Sequence, residues 1–133
     1  MKCLLDTSTL IWSLMDVDRL STSAKKLLSD KTVIKHVSAV SFYEMAIKMS
    51  IGKLTLQGFQ LQDLPALLYT RSVELIVLDP IEAISLKRLP LKEGHRDPFD
   101  RMLICQAISR NLTFLSSDEK IAQYRECGLS LIW

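Results

Sequence analysis

The chain is short of the features that announce the commonest chemistries. Its four glycines never gather into a phosphate-binding loop, and no G-x-S-x-G elbow occurs. Three cysteines, Cys3, Cys105 and Cys127, form no C-x-x-C pair, and with two histidines they make no zinc pattern. Cys3 sits in an apolar strand pattern and Cys105 in an apolar helix, so both read as small core residues. No apolar run approaches the ~20 residues of a membrane span. Met1-Lys2 runs straight into a strand without a secretory leader. Neither sign of charge dominates: the net charge is +2, so no global basic field points to nucleic acid. Local clusters such as Lys25-Lys26 and Lys87-Arg88 read as solvated helix faces. Repeats, low-complexity tracts and linkers are also missing. What remains is one domain over residues 1–133 in a reduced, cytoplasmic setting, with an ordinary 48% hydrophobic and 24% charged residues.

What is present is alternation. Residues 2–6 predict a strand, 8–15 a short helix resumed over 23–29, and 33–37 a second strand. Ser38 is placed to cap a helix from Ala39 to about Ile51, ended by Gly52. A leucine-rich helix near 61–71 carries Leu61, Leu64 and Leu68 on one face. Strand 74–78 and a helix from Pro80 to about Lys87 follow, then a loop over 89–96. Asp97-Pro98 opens a long helix to Arg110, and Asn111 stops it. A strand at 113–116, a short helix from Asp118 and a last strand at 130–132 complete the chain. Strands and helices in this order imply an α/β fold with a mainly parallel sheet covered on both faces.

Four acids stand where strands end or helices begin: Asp6, Glu44, Asp100 and Asp118. The carboxyl edge of an open parallel sheet is where such folds carry their sites. Carboxylates gathered there repel one another unless a divalent cation joins them. Each also has a purely structural explanation. Asp6 can be a turn former or helix cap before Thr7-Ser8-Thr9. Glu44 completes Ser41-x-x-Glu44, a capping-box pattern, and stands four residues before Lys48. Yet its helix is apolar nearly all round, and a buried glutamate requires a partner. Asp97 before Pro98 reads as an N-cap, and so as scaffold for Asp100. Asp100 shares a face with Ile104 and Ala107 that should point inward. Ser116-x-x-Glu119 again resembles a capping box, with Asp118 in the first turn. His95, in the loop, reads as incidental, with substrate contact left open. An aspartate-nucleophile phosphatase fits poorly, because Ser8 stands where such enzymes need a second acid.

Taken together these stretches resemble the PIN-domain ribonucleases, in particular VapC-like toxins of bacterial toxin–antitoxin pairs. Leu4-Leu5-Asp6-Thr7-Ser8 is similar to their opening strand and first acid. Val37-Ser38-Ala39-Val40-Ser41-Phe42-Tyr43-Glu44 resembles the segment with the second. His95-Arg96-Asp97-Pro98-Phe99-Asp100-Arg101 carries the third, and Leu115-Ser116-Ser117-Asp118 the fourth. Cys105 stands where alanine is commoner, a change for packing rather than chemistry. The resemblance implies a three-layer α/β/α sandwich with a five-stranded sheet. It implies one or two Mg²⁺ or Mn²⁺ ions held mainly by Asp6 and Asp100 and completed by Glu44 and Asp118, in an all-carboxylate site. It further implies hydrolysis of RNA phosphodiesters, with Ser8 and Asp97 as supporting residues and Lys48 or Arg101 steering phosphates. A small antitoxin and a homodimer are the implied partners, with the apolar face of the 61–71 helix as a contact for either. A PIN-like module that binds RNA or protein without cutting is the alternative.

Overall fold

The computed structural model describes residues 1–133. Five strands form one sheet: β1 (Lys2–Leu5), β2 (Ile34–Ser38), β3 (Val73–Ile76), β4 (Thr113–Leu115) and β5 (Ser130–Ile132). Their order is β3-β2-β1-β4-β5, and every pairing is parallel. The chain thus winds outward one way from β1, then returns to β1's other side, which makes the carboxyl end of β1 the topological switch point. Cys3, Leu4 and Leu5 are all buried, as a central strand covered on both faces requires.

Helices cover both faces. α1 (Thr7–Met15), α2 (Thr22–Ser29) and α4 (Leu64–Thr70) contribute Leu10, Ala24, Leu27, Leu64 and Leu68 to one core with Cys3 and Leu5. α6 (Pro98–Ser109) contributes Met102 to Cys105 and Ala107 to the other, with Leu4 and Phe114. Adjacent strand residues therefore feed opposite cores, Leu4 against Cys3 and Leu5, Phe114 against Leu115. α3 (Ala39–Ser50) supplies both, with Val40 in one core and Met45 in the other. The three-layer α/β sandwich is the architecture that the alternation of elements predicts.

Several boundaries move for identifiable reasons. β3 ends at Ile76 because its ladder partner, β2, ends at Ser38 and turns into α3. The Val77 carbonyl is then taken by Gln106 Nε2 at 3.1 Å and by an Arg110 terminal nitrogen at 3.0 Å. The 61–71 segment begins as a 3₁₀ turn (Leu61–Asp63), and α4 starts beside Pro65, which has no N–H to give. α5 is shorter than expected (Pro80–Ser85) and tightens into a 3₁₀ turn over Leu86–Arg88. The element after β4 is a 3₁₀ helix, Glu119–Cys127. Leu64 and Leu68, at 0% and 2% exposure, face the protein's own core. This overturns the expectation that the 61–71 face is free for a partner. No helix is long and apolar enough to cross a membrane.

One ion pair, buried on the Glu82 side only, fastens α5 to α6. Asp79 caps α5 and forms a capping box with Glu82, while Glu82 also accepts from Arg110 Nε at 2.7 Å and from its terminal nitrogen at 2.8 Å. The hydrogen bonds from Arg110 hold Glu82 below the usual glutamate range despite burial. Its contribution is therefore complete above that range and fades as pH falls through the lowered value. Arg110→Ala leaves the buried Glu82 carboxylate with the Asp79 N–H but no counter-charge and should cost about 1–2 kcal/mol. Urea unfolding at pH 7 measures this, and the deficit should shrink in acid.

Candidate metal centre

Asp6, Glu44, Asp100 and Asp118 reach one edge of the sheet from four separate segments. Asp6 leaves β1, where its backbone N–H donates to the Leu115 carbonyl at 3.0 Å and Thr9 Oγ1 donates to the same oxygen at 3.0 Å. Those bonds draw the end of β1 against the end of β4. The Asp6 side chain makes no cap for α1; its Oδ2 accepts from Ser116 Oγ at 2.7 Å. Glu44 projects from the second turn of α3 and Asp100 from the first turn of α6. Asp97 caps α6, its Oδ1 accepting from Phe99 and Asp100 N–H groups at 2.9 Å, as scaffold for Asp100. Asp118 is the cap of the final 3₁₀ helix and accepts from the Lys120 N–H.

The acids form a depth gradient. Glu44 and Asp6 are 3% and 6% exposed, whereas the side chains of Asp100 and Asp118 are 21% and 38% exposed. Burial pushes the Asp6 carboxyl up to about 6, against the lowering effect of the Ser116 hydrogen bond, with the charges of Glu44 and Asp118 adding to the rise. Asp100 is pushed up to about 8, by burial first and then by Asp6, Asp97, Glu44 and Asp118. Glu44 and Asp118 thus lie close enough to act on both Asp6 and Asp100, and the surroundings of those two disfavour their charge.

Lys48 is the one lysine or arginine paired with them, donating to Glu44 Oε2. Burial lowers its tendency to carry charge, but Glu44, Asp97 and Asp100 outweigh that and raise it. Glu44 Oε1 is left buried without any hydrogen-bond partner. Such an oxygen is costly in isolation. An unpartnered carboxylate oxygen beside three further carboxylates fits a divalent cation with oxygen ligands.

Several residues stand differently from expectation. The site does not lack histidine: His95, 3% exposed, has Nε2 at 3.3 Å from Asp100 Oδ2 and 4.0 Å from Asp118 Oδ2. One possible ligand atom from each of these three residues lies within 4.8 Å of the others. Burial lowers the His95 pKa, with Asp118 and Asp97 opposing. Gly94, at φ 69°, and a bridge between Lys92 and His95 turn the loop so that the imidazole enters the site. Arg101 is no phosphate contact. It is buried and donates to the carbonyls of Leu89 and Pro90 at 3.0 Å.

Neither capping box forms. Ser38 caps α3, and Ser41 instead accepts from Thr7 Oγ1 at 2.9 Å. Ser116 accepts from the Asp118 N–H at 3.2 Å while donating to Asp6. Ser8 is exposed and enters no hydrogen bond of the site, so Ser116 is the hydroxyl beside Asp6. Its place at the end of the strand next to β1 was the available signal. The cap-like sequence concealed it.

The PIN-domain family model matches residues 3–126, and the chain belongs to that family. Among solved structures it is similar to a chain of VapBC2 from Rickettsia felis bound to a promoter DNA fragment, with TM-score 0.71 and 18% identity over 99% of this chain and 98% of that one. A chain of DNA-bound VapBC from Salmonella typhimurium matches with TM-score 0.68 and 17% identity over 99% and 97%. A chain of VapBC-5 from Mycobacterium tuberculosis, of a toxin–antitoxin family, matches with TM-score 0.61 and 18% identity over 98% and 97%. At these identities the likeness is one of fold. No curated relative matches the sequence.

The raised carboxyls make the folded, cation-free protein hold more protons than the unfolded chain between about pH 4 and about pH 8. Its stability should therefore fall as pH rises across that window. Thermal melts in chelator test this. Asp100→Asn should flatten the fall and melt above the parent near pH 8; an unchanged slope would refute the crowding.

Proposed function

We propose that this chain is a metal-dependent endoribonuclease, the VapC-like toxin of a toxin–antitoxin pair. The observation that carries the reading is the convergence of four carboxylates on one sheet edge, with Glu44 Oε1 unpartnered among them. Family membership supports a nuclease role in general. The donor set supports Mg²⁺ or Mn²⁺, one ion or two, held by Asp6, Glu44, Asp100 and Asp118.

A divalent cation there would supply Lewis acidity for activating water and for the charge that develops on phosphoryl oxygens. The chain's own residues prepare the place. Ser116 fixes Asp6 through Oδ2. Lys48 keeps one oxygen of Glu44 occupied and leaves the other, buried and without a hydrogen-bond partner, for the cation. Asp97 fixes the first turn of α6 and with it the backbone of Asp100. Lys48, whose side chain is 41% exposed, and Lys120, whose charge reaches His95, are the nearby cations for an RNA backbone.

The partners follow from the same reading: RNA as substrate, a small antitoxin that covers the acids, and a second copy of the chain, in the cytoplasm. The similar folds in VapBC assemblies support the antitoxin. A homodimer has to use some surface other than the α4 face that the core consumes.

Incubation with a panel of RNA oligonucleotides and Mg²⁺ or Mn²⁺ tests the reading. Cleavage should fall at least about a hundredfold in Asp6→Asn and Asp100→Asn, the scale of a single catalytic group. Undiminished cleavage in both variants would sink it. Cation binding without turnover on any RNA would favour the binding module.

A further inference from the structure

We propose that His95 is a positioning residue, whose Nε2–H holds Asp100 through Oδ2 and whose proton is kept on that nitrogen by a Tyr124–Arg101 clamp. This rests on the reading of Asp100 as a cation ligand. His95 would serve that ligand from behind rather than join it on the ion.

The argument is one of donors and acceptors. Tyr124 is fully buried, and its hydroxyl has two partners. Arg101 approaches it at 3.2 Å and His95 Nδ1 lies 2.8 Å away. A guanidinium can only donate, so the Tyr124 oxygen accepts from Arg101. The hydroxyl proton then has one acceptor within reach, the lone pair of His95 Nδ1. A neutral imidazole that accepts at Nδ1 carries its proton on Nε2. That N–H points at Asp100 Oδ2, 3.3 Å away, with Asp118 Oδ2 at 4.0 Å.

In the opposite tautomer, Nδ1–H and Arg101 would both donate to Tyr124. Its own proton would then be a buried donor without a partner, which folded proteins avoid. Arg101 is itself held by the Leu89 and Pro90 carbonyls, so the clamp is anchored at the base of the loop that carries His95. The His95 and Tyr124 rings meet edge to face, 5.3 Å apart at 73°, which limits rotation of the imidazole. Proximity alone makes His95, Asp100 and Asp118 resemble a three-residue cation site. The hydrogen-bond count instead gives His95 no free lone pair toward it. Orientation of a ligating carboxylate by an outer hydrogen bond commonly matters ten- to a hundredfold in cation affinity.

The test uses the full chain without RNA, so absence of RNA cleavage would count against the nuclease reading alone. Imidazole ¹⁵N spectra of the cation-free protein are recorded in a pH series into the alkaline range and read on the plateau where Asp100 is ionised and only accepts. His36 is the only other histidine to assign. The expected result is a neutral His95 with its proton on Nε2, and a Tyr124→Phe protein in which the bare Nδ1 resonance moves downfield because its hydrogen-bond donor is gone. A wild-type Nδ1–H tautomer, a doubly protonated ring, or spectra unmoved by Tyr124→Phe would overturn the proposal. Mn²⁺ titration supplies the second readout. His95→Ala should lose about tenfold or more in affinity, and His95→Gln, whose amide N–H can replace Nε2–H, should recover most of it. Nitrogen coupling to bound Mn²⁺ in pulsed EPR of the wild type would make His95 a ligand and end the proposal.

Discussion

The arrangement at the carboxyl edge depends on β1 being paired on both sides. β2 and β4 flank it in parallel, so the three chains leave the sheet in the same direction and side by side. Asp6 follows β1, Ser38 ends β2 and opens the helix of Glu44, and Ser116 follows β4. The backbone bond from Asp6 to Leu115 and the side-chain bond from Ser116 to Asp6 extend the β1–β4 ladder past its last residues. A small polar network does the same on the other side: Ser38 donates to the buried Gln106, and Gln106 to the Val77 carbonyl. α6 is thereby located against the ends of β2 and β3, and Asp100 at its first turn is carried to the edge. Pairing in the sheet and capping at its edge are one structural event.

The edge so built is electrostatically unfavourable. Burial and mutual repulsion raise Asp6 and Asp100 well above ordinary carboxyls, and Lys48 answers only one oxygen of Glu44. Two apolar cores, one on each face of the sheet, hold the acids together regardless. Tolerated strain of this kind concentrates at functional sites. Its sign also indicates the ligand: excess negative charge with hard oxygen donors suits a divalent cation. Around the acids sit further hydrogen-bonding groups: Ser116 holds Asp6, and His95, itself bonded to Tyr124, lies against Asp100.

The four acids that meet at the sheet edge were legible in the sequence through their positions relative to strand ends and helix starts. The α/β alternation was equally legible, because periodicity and capping residues such as Ser38, Asp97 and Pro80 act locally. Local patterns misled where a residue's partner is distant. Ser41 and Ser116 look like capping-box serines, but Thr7 and Asp6 claim them from 34 and 110 residues away. Arg101 and His95 read as a surface cation and a loop histidine, and both are buried around Tyr124. The leucines of α4 form an apolar stripe, and only packing shows that the stripe is consumed internally.

By itself, then, the sequence determined the fold class, the order of elements and the identity of the acids. These follow from short-range periodicity, caps and one chain-wide pattern of positions. Tertiary structure alone decided which acids are deep and which shallow, that Ser116 rather than Ser8 bonds Asp6, and that an imidazole lies beside Asp100. Burial and hydrogen-bond partnership across a hundred residues are properties of the packed sheet edge. No local stretch of sequence encodes the partners of the Tyr124 hydroxyl or the unpartnered oxygen of Glu44.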